Sequence, residues 1–394
     1  MKQIQHNRRT VMRTVAGLAM SALIPLGVAQ AADPIKVGMM LPATGTYAKL
    51  GSAIDNAFKL YVEEQGGTLA GRSIEYHAVD DESDPAKATE NANRLVVRDG
   101  VDVLVGTVHS GVALAMARVA KQRDTLFLVP NAGADDLTRA QCSPNLFRTS
   151  FTNWQPAYAM GKAATGMGHK TAVTLTWKYA AGLEAVNGFK QAFEEGGGKV
   201  VKELTTPFPG VEFQSFLTEI AALKPDAVYV FFAGGGAAKF AKDYAAAGLK
   251  DSVPLYSSGF LTDGTLGAMG GAGEGLITAL HYADGLDNPK DKAFRAAYQA
   301  KYGMPPDVYA VQGYDAAQLL HAGLKAVNGD MSKKAEMRAA MRSATIDSPR
   351  GTFTLSSSQN PVQDIYLRKA QGTENPSTGI AAKALADPGT GCKM

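Results

Sequence analysis

Short apolar runs alternate with amphipathic stretches along almost the whole chain, and this alternation restricts the fold more than any other feature. Ile35–Leu41, Ile74–Val79, Val101–Val105 and Leu126–Val129 are near-continuous runs rich in Val, Ile, Leu and Met. Such runs read as strands buried on both faces, because a half-solvated strand would alternate apolar with polar. Between them, Ser52–Glu64, Pro85–Arg98 and Gly111–Arg123 carry helical spacing, and Asp84-Pro85 supplies an acidic cap with proline in the first turn. After a gap at Leu137–Asn153 the pattern resumes, with strands Thr171–Thr176, Val200–Leu204, Ala227–Phe232 and Leu255–Ser257. Helices Leu183–Glu195, Phe213–Leu223 and Ala237–Ala247 lie between or after them. Alternation on this scale requires parallel sheets joined by right-handed crossovers, and two successive sets of units predict two α/β lobes.

The C-terminal third changes character. Lys292–Tyr302, Ala310–Val327 and Lys333–Ser343 are helical, and Thr352–Leu355 and Asp364–Arg368 are short strands. These are too few for a third core, so they complete the two lobes. The chain is expected to cross between lobes near Phe151, at His281–Ala283 and at Pro349–Thr352. The resulting division is residues 32–151 plus 282–350 for lobe one, 152–281 plus 351–385 for lobe two, and 386–394 as a tail. A mature chain of about 360 residues exceeds the usual size of one hydrophobic core, in keeping with that division.

The N-terminus defines the compartment. Arg8-Arg9 precedes an apolar run from Val15 to Val28, and Ala29-Gln30-Ala31 offers small residues at the positions an export peptidase reads. Residues 1–31 thus read as a signal peptide of twin-arginine character. The run is shorter than the ~20 residues needed to span a bilayer, and no cysteine marks a lipoprotein. The mature chain is expected to begin near Ala32, outside the cytoplasm. The whole chain has 40 Lys+Arg and 37 Asp+Glu; removing Lys2, Arg8, Arg9 and Arg13 with the leader leaves 36 against 37. No basic stripe remains to bind nucleic acid. The only cysteines are Cys142 and Cys392. In an oxidising compartment an even count predicts one disulfide, the alternative being two free thiols. Cys392 lies in a Gly-rich tail with little else to hold it.

Ligands of parallel α/β sheets collect at the carboxyl ends of strands, where helix N-termini present free N–H groups. The candidate ends are Leu41 to Tyr47, Val105 to Gly111, Val129 to Gly133, Trp177-Lys178-Tyr179, Gly234-Gly235-Gly236 and Ser258-Gly259-Phe260. In His109-Ser110-Gly111, Ser110 can cap the next helix, and its hydroxyl with the N–H groups of Gly111 and Val112 suits a carboxylate. The bland alternative is a cap and nothing more. The six histidines show no metal-ligand spacing, and no nucleophile elbow, phosphate-loop lysine or dinucleotide fingerprint occurs. No enzyme activity, cofactor or metal is expected.

Leu41-Pro42-Ala43-Thr44-Gly45-Thr46-Tyr47 followed by Gly51, Gly106-Thr107-Val108-His109-Ser110-Gly111, Val129-Pro130-Asn131-Ala132 and Tyr309 to Ala316 together resemble the periplasmic solute-binding proteins of branched-chain amino-acid uptake. The resemblance implies a two-lobed type I clamshell with three interlobe crossings, closing on a small molecule and docking as a monomer on the permease subunits of an ATP-driven importer. By analogy the ligand carboxylate meets Ser110, Asn131 and Gly133, with His109 and Ala132 beside them. Tyr47, Trp154 and Tyr179 would face the cleft, and Gly235 would let backbone approach it. Amino-acid binders of the family place a carboxylate in the second lobe for the ligand ammonium. Here that stretch reads Ser257-Ser258-Gly259-Phe260-Leu261, with Asp263 the nearest acid. A buried, unpaired ammonium is costly, so the expected ligand is a flat aromatic carboxylate such as a benzoate or phenylpropenoate. The VHSG and NWQP (Asn153–Pro156) segments also resemble the aromatic-acid branch. An amino-acid ligand, a ligand sensor and a hydrolase using His109 and Ser110 are the alternatives.

Overall fold

A computed structural model describes residues 33–394; the leader lies outside them. Six strands build the first sheet: β1 (Ile35–Leu41), β2 (Thr68–Leu69), β3 (Arg72–Asp80), β4 (Val103–Val105), β5 (Leu126–Val129) and β6 (Leu146–Arg148), in the order β2-β3-β1-β4-β5-β6. All neighbours are parallel except the β2–β3 pair. The second sheet has eight strands: β7 (Thr171–Trp177), β8 (Lys199–Thr206), β9 (Ala227–Phe231), β10 (Leu255–Ser258), β11 (Ile277–Leu280), β12 (Thr354–Leu355), β13 (Pro361–Lys369) and β14 (Ser377–Leu385). Its order is β12-β13-β11-β10-β9-β7-β8, with β14 against β13; β12 to β14 run antiparallel at one side.

The continuous apolar runs follow from burial on both faces. Along β1, β4 and β5, residues Val37, Met39, Val103, Val105 and Leu128 pack into one apolar cluster, while Met40, Leu104, Phe127 and Val129 pack into another. Successive side chains point to opposite faces, so both sets must be apolar. The β3 segment departs from the expectation of a buried strand, being half-exposed along its length. Only the two-residue β2 flanks it on the outside, so Glu75 and His77 can face solvent.

The helices are α1 (Ala48–Glu64), α2 (Pro85–Asn93), α3 (Ser110–Gln122), α4 (Trp154–Gly166), α5 (Ala180–Glu195), α6 (Gln214–Leu223), α7 (Gly234–Ala246), α8 (Leu266–Met269), α9 (Pro289–Tyr302), α10 (Val308–Ala326) and α11 (Lys334–Arg342). The Asp84 side chain caps α2 by accepting from the Ala86 N–H at 2.8 Å, as its sequence predicts. α10 packs on α1, and a Cβ at Gly313 would strike the Ile54 carbonyl oxygen; glycine permits that approach. Helices α9 to α11 therefore belong with the first sheet, although they follow β11 of the second. The chain passes between the two bodies at 149–153, 281–288 and 343–353. The gap at Leu137–Asn153 is not structureless: it holds β6, and the long helix α4 follows directly.

Cys142 and Cys392 are joined, with Cα atoms 5.5 Å apart. The tail has a second anchor that the sequence reading lacks. Arg139 donates to both carboxylate oxygens of buried Asp387, at 3.0 and 2.7 Å. Among the described residues no helix is long and apolar enough to cross a membrane.

Candidate functional site

Tyr47, Ser110, Asn131, Gly133, Tyr179 and Phe260 converge on one cavity of about 20 Å³ between the two bodies. Each comes from the carboxyl end of a strand or the helix start that follows it, as parallel topology dictates. Val108, Phe151, Asn153, Ala181, Phe231, Ala233 and Tyr309 complete the lining. No charged side chain is among these residues.

His109, not Ser110, caps α3. Its Nδ1 accepts from the N–H groups of Gly111 and Val112 at 3.1 and 3.4 Å. Burial holds the imidazole pKa down to about 4, so the ring stays neutral and able to accept. Those two N–H groups are thereby occupied, which corrects the expectation that they meet a ligand anion. Ser110 is the first residue of α3 instead. Its hydroxyl oxygen accepts from Asn153 Nδ2 at 3.3 Å, leaving its proton to donate into the cavity beside a helix N-terminus. Asn131 Nδ2 donates to Gln312 Oε1 at 2.7 Å, and one of its two amide protons remains for a further bond. Gly133 is required by packing, since a Cβ there would strike Asn153 Oδ1 and the Phe151 ring.

Aromatic rings form the remaining walls. Phe151 lies 4.6 Å from Phe260, and Phe260 lies 6.2 Å from both Phe231 and Tyr309. The Tyr47 and Tyr179 hydroxyls share a hydrogen bond of 2.8 Å across the two bodies. Phe208, which follows β8, packs on Tyr47, His109, Trp177 and Tyr179 at 4.9–5.5 Å. His109 stacks on Tyr179 at 4.6 Å, one layer outside the lining.

Several expected residues lie elsewhere. Trp154 begins α4 but turns away, because its ring stacks on Tyr158 at 4.5 Å and its Nε1–H donates to Gln191. Trp177 is fully buried behind Tyr47, with its Nε1–H on the Gly210 carbonyl. Gly235 is exposed, and the backbone it brings close belongs to Gly234, which abuts Thr46. Ala132 is buried, with its N–H on Thr107 and its carbonyl accepting from Arg148. Asp263 is committed to Arg368 at 2.7 Å. It faces a larger cavity, about 640 Å³, beside α1, α9 and residues 373–375, which gathers none of the expected ligand residues.

Asn153 lies in the NWQP segment and Tyr309 at the head of the Tyr-Asp-Ala helix, where the neighbouring Trp154 and the helical spacing are the stronger sequence signals. Phe151, Phe231, Ala181 and Ala233 carry no local signal beyond their place at strand ends or crossings. Behind Asn153 lies Glu184 of α5, which accepts from Asn153 Nδ2 at 2.7 Å and from the Asp135 N–H at 3.0 Å. Burial raises the pKa of Glu184, and burial together with the Glu184 charge raises that of Asp135.

A family model described as periplasmic binding protein matches residues 34–375. A Leu/Ile/Val-binding protein homolog from Brucella abortus is 30% identical, covering 91% of this chain and 93% of the relative. A solute-binding protein of an ABC transporter from R. palustris, solved in complex with benzoate, is 56% identical with a TM-score of 0.90, covering 92% of this chain and 100% of its own. Another, from Rhodopseudomonas palustris BisB5 in complex with 3,4-dihydroxybenzoic acid, is 36% identical with a TM-score of 0.85, covering 91% and 99%.

Proposed function

The chain belongs to the periplasmic binding protein family, and from that premise we propose that it is the periplasmic solute-binding component of an ABC importer whose ligand is a small aromatic carboxylate of the benzoate type. One observation carries the ligand class: the cavity is walled by Phe151, Phe231, Phe260 and tyrosines, and no acidic side chain lines it. An ammonium there would lack a direct partner, whereas a ring finds apolar walls and a carboxylate finds the Ser110 hydroxyl at a helix start. The benzoate complex of the 56% identical relative supports the same class. His109 and Tyr179 hold the shape of the site, and the ligand contacts are Tyr47, Ser110, Asn131, Gly133, Tyr179 and Phe260. Residues 32–151 with 282–350 and residues 152–281 with 351–385 are the two bodies that close. The leader directs export to the periplasm, and the loaded form delivers its ligand to the permease.

A second reading, an amino-acid ligand, draws on Glu184, a buried carboxylate one hydrogen bond behind Asn153, and on the Brucella relative. Isothermal calorimetry on the mature protein separates the two. The proposal expects benzoate to bind at micromolar concentration or tighter and leucine to give no heat. Leucine binding without any response to benzoate overturns it.

A further inference from the structure

The Tyr309 hydroxyl is the one polar group in the cavity lining that packing does not explain. Tyr309 is the second residue of α10 and is 1% exposed, and its hydroxyl has no hydrogen-bond partner. Its ring meets Phe260 at 6.2 Å, a contact that phenylalanine would make equally well. Burying a hydroxyl without a partner costs free energy, and a ligand group that both donates and accepts would recover it.

The surroundings of Tyr309 say which part of a ligand it meets. Ser110, Asn153 and Glu184 are joined in one set of hydrogen bonds, and Tyr309 belongs to none of these. Its hydroxyl is kept protonated, its pKa raised by burial and then by the charges of Asp263 and Asp307. Ser110 offers its free hydroxyl proton at the start of α3, so the ligand carboxylate is directed to Ser110 and a neutral group to Tyr309. Tyr309 lines the same cavity as Tyr47 and Tyr179, whose hydroxyls share a hydrogen bond. Only one proton is used in that pair, so a further donor remains there.

Resting on the aromatic-carboxylate reading, we propose that Tyr309 is a specificity residue that selects rings bearing a phenolic hydroxyl at the meta or para position, remote from the carboxylate. The ligand hydroxyl and the Tyr309 hydroxyl exchange a hydrogen bond, with the Tyr47–Tyr179 pair as the adjoining polar wall. An ortho hydroxyl is spent on its own carboxylate and gains nothing.

The test is calorimetry of the mature protein and its Tyr309→Phe variant with benzoate and with 2-, 3- and 4-hydroxybenzoate. A neutral hydrogen bond should make the better of the 3- and 4-hydroxy acids roughly three- to tenfold tighter than benzoate in the parent, with 2-hydroxybenzoate no better. Tyr309→Phe should remove that advantage and leave benzoate within about twofold, since the ring is retained. A Phe260→Ala control should weaken all of the acids together. Equal weakening of benzoate and the hydroxy acids by Tyr309→Phe would assign Tyr309 to the carboxylate or to ring packing and overturn the proposal. Benzoate binding as tightly as the hydroxy acids in the parent also overturns it. Failure of every aromatic acid to bind the parent instead marks failure of the underlying ligand class.

Discussion

The Ser110 hydroxyl has one hydrogen bond, as acceptor from Asn153 at 3.3 Å, so its proton is free for an incoming carboxylate. Hydrogen bonds to charged groups contribute about 1.5–3 kcal/mol, and Ser110→Ala should therefore weaken an aromatic acid by roughly ten- to a hundredfold. The fold should hardly notice, because His109 provides the cap. Calorimetry with denaturant melts of the same variant checks both halves, and unchanged affinity would place the carboxylate elsewhere. A pH dependence follows from groups around the same residues. Asp135 and Glu184 have pKa values raised by burial, with Arg139, Arg148, Asp136 and Asp387 as the other charges acting on them. A carboxyl with a raised native pKa binds more protons folded than unfolded. Its stabilising contribution is present below about pH 4 and is lost as pH rises through the native value. His109, with a pKa lowered to about 4, acts oppositely; its contribution is full above about pH 6.5 and is lost as pH falls. With two such carboxyls against one histidine, thermal midpoints should decline as pH rises from mildly acidic towards 8. Glu184→Gln keeps an acceptor for Asn153 and the Asp135 N–H, and should flatten the decline towards pH 8. An unaltered decline would remove these carboxylates as its cause.

The elements that join the two bodies depend on one buried cation. Arg350 donates to the carbonyls of Thr149 and Ser150, at 2.6 and 3.3 Å, and to Gln363 at 2.6 Å, and pairs with Asp315 at 3.3 Å. It thus ties the first crossing to the third. Arg350→Met would leave Asp315 buried and unpaired, at a cost of about 3–5 kcal/mol; a shift of the urea midpoint with unchanged slope is the expected readout. The tail is held differently. Joining Cys142 to Cys392, at a sequence separation of 250, could contribute about 5 kcal/mol in the chain-entropy model. Reduction leaves the Arg139–Asp387 pair in place, so the native tail should stay docked while the thermal midpoint falls. Two free thiols in the unreduced, denatured chain would contradict the bond. The sequence reveals these elements unevenly. Strands β1, β5 and β9 are legible because both faces are apolar, and α2 because Asp84-Pro85 marks its start. β6, β11 and β14 are three to nine residues long and lack a periodic signal. α4 escapes because a proline at its third residue, Pro156, reads as a loop although it sits in the first turn. The cavity lining is legible at Ser110, Asn131 and Tyr179, where strand ends fix position. Trp154 departs from its expected place because sequence gives an element's start without the direction of its side chain.

Across the whole molecule, the cavity of about 20 Å³ has room for about one water, which needs ~10–15 Å³ of such space, and none for a ring. A benzoate ring enters only if the walls move, and the walls come from both bodies, so ligand exchange requires their separation. The Phe208–Tyr47 contact and the Tyr47–Tyr179 bond are among the contacts that separation breaks. Their neighbour Trp177 lies 5.1 Å from Phe208 and 6.2 Å from Tyr47, whereas Trp154 stacks on Tyr158 away from the cavity. A fluorescence change on ligand addition should therefore come from Trp177. Trp154→Phe should keep the benzoate response, and Trp177→Phe should abolish it while calorimetry still registers binding. Leucine should leave the fluorescence unchanged, since no acid lines the cavity to meet its ammonium. A response that survives in Trp177→Phe but vanishes in Trp154→Phe would mean that closure repacks the start of α4. The ligand would then be gripped from the 149–153 crossing, not from the aromatic wall that joins Tyr47 to Tyr179.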